Sequence, residues 1–246
     1  MVPPALPDHR IEGYPLWPRP VDDIYLEYEF SGTKGPLDLY GYVDFNKRFG
    51  VGSDDDVGVW DDDGSPVFAE LEPRLSIDRL TGQDLSIGPV KEWFPASDYI
   101  LDLGHGRDSQ QNVLYFGPGA AFDTHSPVNF EVNFFFRRQF ANYGAANAYS
   151  WDGYRLQGNW SAPLGKFAGG GLLYVNFINW DFDSKLGRTP ESPRTDYAVV
   201  DTNVLILDYT HLHYFFAARY FKNGGQWRDG AVVDLGNGPE RLDETG

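Results

Sequence analysis

Apolar side chains recur at every second position through most of this chain, and that period commits it to β-strands, because successive side chains of a strand point to opposite faces. Between Val67 and Asp78 one face reads Val67, Ala69, Leu71, Pro73, Leu75, Ile77, and the other Phe68, Glu70, Glu72, Arg74, Ser76, Asp78. From Val128 to Arg137 the faces are Val128, Phe130, Val132, Phe134, Phe136 against Asn129, Glu131, Asn133, Phe135, Arg137. The pattern returns at Leu37 to Phe45, where Asp38, Tyr40, Tyr42 and Asp44 share a side, and at Tyr25 to Phe30, where Tyr25, Glu27 and Glu29 do. Helix has little support. Strands are expected at 23–30, 37–45, 67–78, 84–103, 112–121, 128–140, 151–161, 170–182, 197–209 and 213–221, with a possible break at Pro89 or Pro95 in the fourth.

Short and long connections mostly take turns between these segments, as they do in a membrane meander with tight periplasmic turns and longer outer loops. Alternation by itself does not say which face is wet. A soluble barrel turns its apolar face inward, and a membrane barrel turns it toward lipid. Glu70, Glu72, Arg74, Arg137, Arg155 and Arg219 fall at strand interiors, where a membrane barrel would place them along its lumen. A soluble acidic β-barrel that binds a small polar aromatic ligand stays open as the alternative.

Charge and composition narrow the classes. With 20 Lys and Arg against 36 Asp and Glu, the net charge of −16 opposes nucleic-acid binding, which needs a basic footprint. Aromatic residues at 16% are too many for a disordered acidic chain. The longest uncharged runs, Ser109 to Phe122 and Phe167 to Trp180, fall short of the ~18–20 apolar residues of a spanning helix. The absence of cysteine removes disulfides, thiolate metal sites and cysteine nucleophiles. The opening residues lack a basic and an apolar leader region and read as a mature, truncated or cytosolic start.

Several runs carry a resemblance. They are Asp23-Ile-Tyr-Leu-Glu-Tyr-Glu29, Leu39-Tyr-Gly-Tyr42, Gly64-Ser-Pro-Val-Phe-Ala-Glu-Leu-Glu-Pro-Arg-Leu-Ser-Ile-Asp78 and Gly88-Pro-Val-Lys-Glu-Trp93. Further along are Asn142-Tyr-Gly-Ala-Ala-Asn147, Trp151-Asp-Gly-Tyr-Arg155, His211-Leu-His-Tyr214, Ala218-Arg-Tyr220 and Gly224-Gly-Gln-Trp227. In this order, over about 23 to 238, the chain resembles the Tsx-type nucleoside-specific channels of the bacterial outer membrane. The resemblance implies an all-β, antiparallel, up-and-down transmembrane barrel of twelve strands, monomeric in outer-membrane lipid, passing nucleosides passively through a narrow pore and performing no enzymatic reaction. Ten strands are recognisable in the sequence. Residues 1–22 form an N-terminal segment with poor strand signal, since Pro15 and Pro18 break any ladder. Residues 23–246 form the barrel domain, expected to lack the final closing strand.

A nucleoside offers a base face and a hydroxyl-rich ribose, so a weak selective site needs rings and hydrogen-bonding groups. The pore-lining candidates are Tyr25, Glu27, Asp38, Tyr40, Tyr42, Asp44, Phe68, Glu70, Glu72, Arg74, Arg155 and Arg219. The plainer reading is that Glu and Arg pair across the lumen only to neutralise each other. Phe135 and Gln157 share the polar face. Glu70 and Glu72 stand on one strand side and do not flank a bond as glycosidase carboxyls must. His211 and His213 read as a turn pair, and the acidic stretch from Asp54 to Gly64 fits a calcium loop only in part. No metal or cofactor is implied. Trp17, Trp60, Trp93, Trp151, Trp160, Trp180 and Trp227 mostly fall near strand ends, as an interfacial girdle would place them.

Overall fold

The computed structural model describes residues 26–45, 67–104, 110–187, 192–234, 239–242 and 245–246. Its body is one curled ten-stranded antiparallel sheet. The strands are β1 (Leu26–Lys34), β2 (Leu37–Phe45), β3 (Val67–Leu75), β4 (Val90–Leu103), β5 (Gln110–Phe122), β6 (Asn129–Asn142), β7 (Trp151–Phe167), β8 (Gly170–Phe182), β9 (Ala198–Asp208) and β10 (His213–Lys222). Each pairs with its sequence neighbours, and β1 and β10 are the edges. A small ribbon of β11 (Val232–Asp234) and β12 (Pro239–Arg241) follows.

Register fixes the faces. Asp38 lies opposite Arg74, Tyr40 opposite Glu72 and Tyr42 opposite Glu70, so the polar sides of β2 and β3 coincide. The concave side holds the buried rings and methyls of Phe94, Ala96, Val113, Tyr115 and Phe135 together with buried charge. The convex side shows large apolar groups to the surroundings, Phe116 at 49% exposure, Phe136 at 46% and Trp180 at 44%. A water-soluble barrel would bury such rings, and here they face the position of lipid. One convex patch departs from this rule. Tyr174 donates to Asn203 (2.6 Å), and Asn176 and Asn203 both donate to Asp201 (2.6 and 3.2 Å), giving β8 and β9 a polar cluster on the outer wall.

Strand alternation puts the connections 35–36, 76–89, 123–128, 168–169 and 209–212 at one end of the sheet, and the strand ends Phe45, Val67, Leu103, Gln110, Asn142, Trp151, Phe182 and Ala198 at the other. The expected segregation of turns from loops holds except at 76–89. There the alternation in the sequence predicts one strand on to Asp78 and the next from 84. Instead α1 (Ile77–Thr81) intervenes, and β4 starts only at Val90, after Pro89. Ser76 caps α1 by accepting from the Arg79 amide (3.1 Å), and Gly82, at φ 67°, closes it in the left-handed region. Strand β4 then runs unbroken through Pro95.

Candidate functional site

The concave side encloses a cavity of about 870 Å3. Its β1–β3 wall is acidic and aromatic. Tyr42 donates to Glu70 (2.6 Å), and its ring stacks with Phe68 at a centroid distance of 6.0 Å and an interplanar angle of 28°. Gln157 reaches Glu72 from β7 (3.1 Å). Arg74 binds Glu131 on β6 as well as Asp38 (3.3 Å), and its guanidinium lies 4.6 Å from the Phe94 ring centroid.

The opposite wall is organised around Arg155. From β7 it donates to both carboxylate oxygens of Asp181 (2.9 and 3.0 Å), to Asp98 on β4 (2.5 Å) and to the Tyr115 hydroxyl (3.0 Å). The same guanidinium sits 3.7 Å from the Tyr115 ring centroid. A planar, always charged fork suits this many acceptors, which a lysine does not.

Toward the long-loop end, a second arginine centre borders the lumen. Arg137 pairs with Asp152 (3.1 Å), donates to Ser184 (2.9 Å), and also donates to Gln226 from the 3-10 turn at Gly224–Gln226. That turn is fastened from below by Arg194, which donates to Asn142 (3.1 Å) and to the Gly225 carbonyl (3.2 Å). Tyr143 donates to Asp102 (2.9 Å), and desolvation together with that carboxylate holds its phenol well above the ordinary tyrosine range. At the short-turn end Arg79 clamps Asp38 through two bonds (3.0 and 2.6 Å) and Glu92 through one (2.9 Å), which keeps its guanidinium charged at any accessible pH.

A lumen of rings, carboxylates and guanidinium groups inside a wall of outward aromatic residues is the arrangement of a selective membrane pore. The family model for the nucleoside-specific channel-forming protein, Tsx, matches residues 9–245. The chain belongs to the Tsx family. It is 44% identical over 229 residues to the nucleoside-specific channel-forming protein Tsx of Salmonella typhimurium strain LT2, covering 93% of this chain and 79% of the relative. The Tsx of Escherichia coli O157:H7 is 42% identical over 231 residues, 92% of this chain and 78% of the relative. Outer membrane protein OmpK of Vibrio parahaemolyticus is 30% identical over 175 residues, 70% of this chain and 60% of the relative. This Tsx-family protein is therefore an outer-membrane β-barrel and a channel-former, not an enzyme, and the soluble alternative is set aside.

Of the sequence candidates, Glu27, Asp38, Tyr40, Tyr42, Phe68, Glu70, Glu72, Arg74, Arg155 and Arg219 line the cavity. Asp44 faces the same way at the long-loop end of β2 but is 8% exposed and stands outside that lining. Tyr25 lies outside the described residues, as do Trp17, Trp60 and the acidic stretch from Asp54 to Gly64. His213 lies 2.5 Å from Asp208, and no metal-holding cluster occurs among the described residues. Trp227 is no girdle residue. It is buried against Leu242 and Tyr143, with the Arg194 guanidinium 4.1 Å from its ring centroid. The sequence reading missed Asp98, Tyr115, Asp181 and Gln226 as lumen groups. Their strand parity was available for the first three; Asp181 stands directly opposite Arg155 on the next strand, while Asp98 and Tyr115 meet it from three and two strands away.

Proposed function

We propose that this protein is a passive outer-membrane pore selective for nucleosides, acting as a single-chain barrel in lipid. The observation that carries the reading is the aromatic and acidic wall of Tyr40, Tyr42, Phe68, Glu70 and Glu72 facing the Arg155 centre across one cavity. Rings on one wall give a base a stacking surface, and carboxylates, Gln157 and guanidinium groups accept and donate to ribose hydroxyls. Each lumen charge already has a protein partner to return to, so a solute contact replaces a bond instead of adding one. Contacts then stay weak enough for release, as conduction requires. In this proposal residues 23–246 are the barrel domain, 1–22 a separate N-terminal segment, and β1 and β10 flank the seam at which the barrel closes.

The test is single-channel conductance in a planar bilayer, titrated with adenosine, thymidine, ribose and free base. Nucleosides should block the ion current at concentrations where ribose does not. Equal block by ribose and nucleoside would reduce the protein to a general pore.

A further inference from the structure

On the outer wall at the long-loop end, a groove of about 340 Å3 opens between Phe116, Phe136, Trp151 and Tyr154, edged by Asp183 and Lys185. Trp151 is 56% exposed and Phe136 46%, on the convex face that meets lipid. Arg138, two residues beyond Phe136 on the same outward side of β6, adds a cation to this rim. Its guanidinium lies 6.0 Å from the Trp151 ring centroid and 5.5 Å from that of Phe140. The lumen arginines 74, 137 and 155 are bound by carboxylates. No carboxylate pairs with Arg138 or Lys185 among the described residues.

We propose that this rim groove is a binding site for a phosphate-bearing glycolipid of the outer leaflet, with acyl chain against Phe116, Phe136 and Tyr154 and phosphate between Arg138 and Lys185. Three features choose this occupant. The long loops mark the outer side of the membrane, so the groove stands at the depth of outer-leaflet headgroups. In a chain of net charge −16, two unpaired cations on the lipid-facing rim complement an anion and nothing else nearby. A cation held over aromatic faces, as Arg138 is, suits an amphiphile, whereas a free anion has no use for the rings. Asp183 is the one carboxylate on the groove edge that faces this site openly. It accepts from a sugar hydroxyl while the two cations hold the phosphate. Asp152, also in the lining, is already bound by Arg137, Ser184 and the Lys185 amide (2.8 Å).

The site lies outside the lumen and stands whether or not the pore selects nucleosides. The experiment is native mass spectrometry of the purified protein in neutral detergent micelles, titrated with diphosphoryl lipid A, its dephosphorylated form and inorganic phosphate. The protein should retain diphosphoryl lipid A and release the dephosphorylated form. One basic group beside a charged lipid surface is worth about fivefold in affinity, so Arg138→Gln and Lys185→Gln should each weaken retention about fivefold, while Arg138→Lys keeps most of it. Nucleoside block of the channel should be the same in all three variants. Heat-modifiable gel migration reports folding, and if Arg138→Gln fails that check, Lys185→Gln on the exposed loop decides alone. Equal retention of both lipid forms, unchanged retention in Lys185→Gln, or full displacement by millimolar inorganic phosphate would each overturn the proposal.

Discussion

Arg155 on β7 and Asp98 on β4 meet across the lumen at 2.5 Å, with side chains only 8% and 0% exposed. Three ladder steps separate their strands, so the contact exists only because the sheet curls. Asp181 accepts the other side of the same guanidinium. The centre thus joins β4, β7 and β8 through one cation.

Removing the cation strands two buried carboxylates. Arg155→Ala should destabilise the barrel by about 3–5 kcal/mol, the usual cost of leaving a buried charge without its partner. Asp98→Asn, which leaves Asp181 in place, should cost less. Urea unfolding in micelles, followed by tryptophan fluorescence, measures both. Equal midpoints for wild type and Arg155→Ala would show that the centre carries no stability.

Stacking predicts a split between solutes. Tyr40→Ala combined with Tyr42→Ala removes rings from the β2 wall, and a stacked base is worth about 1–3 kcal/mol in alanine scans of nucleic-acid sites. Nucleoside block of the current should weaken by that amount while ribose flux in swelling assays stays level or rises. Parallel loss for both solutes would mean that the tyrosines only shape the lumen.

Gln226 is 2% exposed and reaches into the lumen at the long-loop mouth. Gln226→Ala takes away an acceptor of Arg137, and an unmade buried hydrogen bond costs about 1–3 kcal/mol. Single-channel conductance should rise as the mouth widens, and discrimination between nucleosides and ribose should fall. Unaltered conductance would place the narrowest point elsewhere.

Close approach makes one glycine irreplaceable and another neutral. A Cβ on Gly117 would lie 2.1 Å from the Phe134 carbonyl oxygen of the neighbouring strand, whereas one on Gly32 meets nothing within 4 Å. Gly117→Ala should lose at least the ~1–3 kcal/mol typical of overpacking, and Gly32→Ala should stay within about 0.5 kcal/mol of wild type. Denaturant midpoints of the two variants provide the comparison.

The cap of α1 gives a smaller, local effect. Ser76 accepts from the Arg79 amide and donates to Glu92. Ser76→Ala should cost about 1 kcal/mol, as lost N-caps do, with channel properties intact. Hydrogen exchange confined to residues 77–82 would locate the loss.

Period-two alternation recovered β2 and β8 to the residue because their boundaries fall at abrupt changes of pattern, Pro36 before Leu37 and the Ala168-Gly169 turn before Gly170. The same rule overran β3. Leu75 and Ile77 keep the alternation going, while the stop is written in the Ser76 and Gly82 caps that period counting ignores. Facing was readable wherever apolar and polar sides contrast, which is why Tyr40, Glu70 and Arg155 were placed inward correctly. The pairing of Arg155 with Asp98 was not readable, since the two become neighbours through curvature, and curvature leaves no trace in a local pattern, whereas Asp181 stands directly opposite Arg155 in the β7–β8 ladder and needs only the register. The outward Asp201 escaped for the opposite reason. A carboxylate on a strand reads as lumenal until its amide neighbours across the ladder are known.

Every ladder in the sheet joins strands consecutive in sequence, so the backbone can assemble hairpin by hairpin from local contacts, the fast-folding regime of low contact order. Those hairpins form equally well in a flat sheet and a curled one. What tells the two apart are side-chain chords: Arg155 to Asp98, Gln157 to Glu72 and Arg137 to Gln226 bridge 57, 85 and 89 residues. The lumen's polar groups therefore favour one circumference, the one at which these chords are all made. A sheet closed at the wrong girth would leave them buried and unmatched, at a cost of about 1–3 kcal/mol for each group.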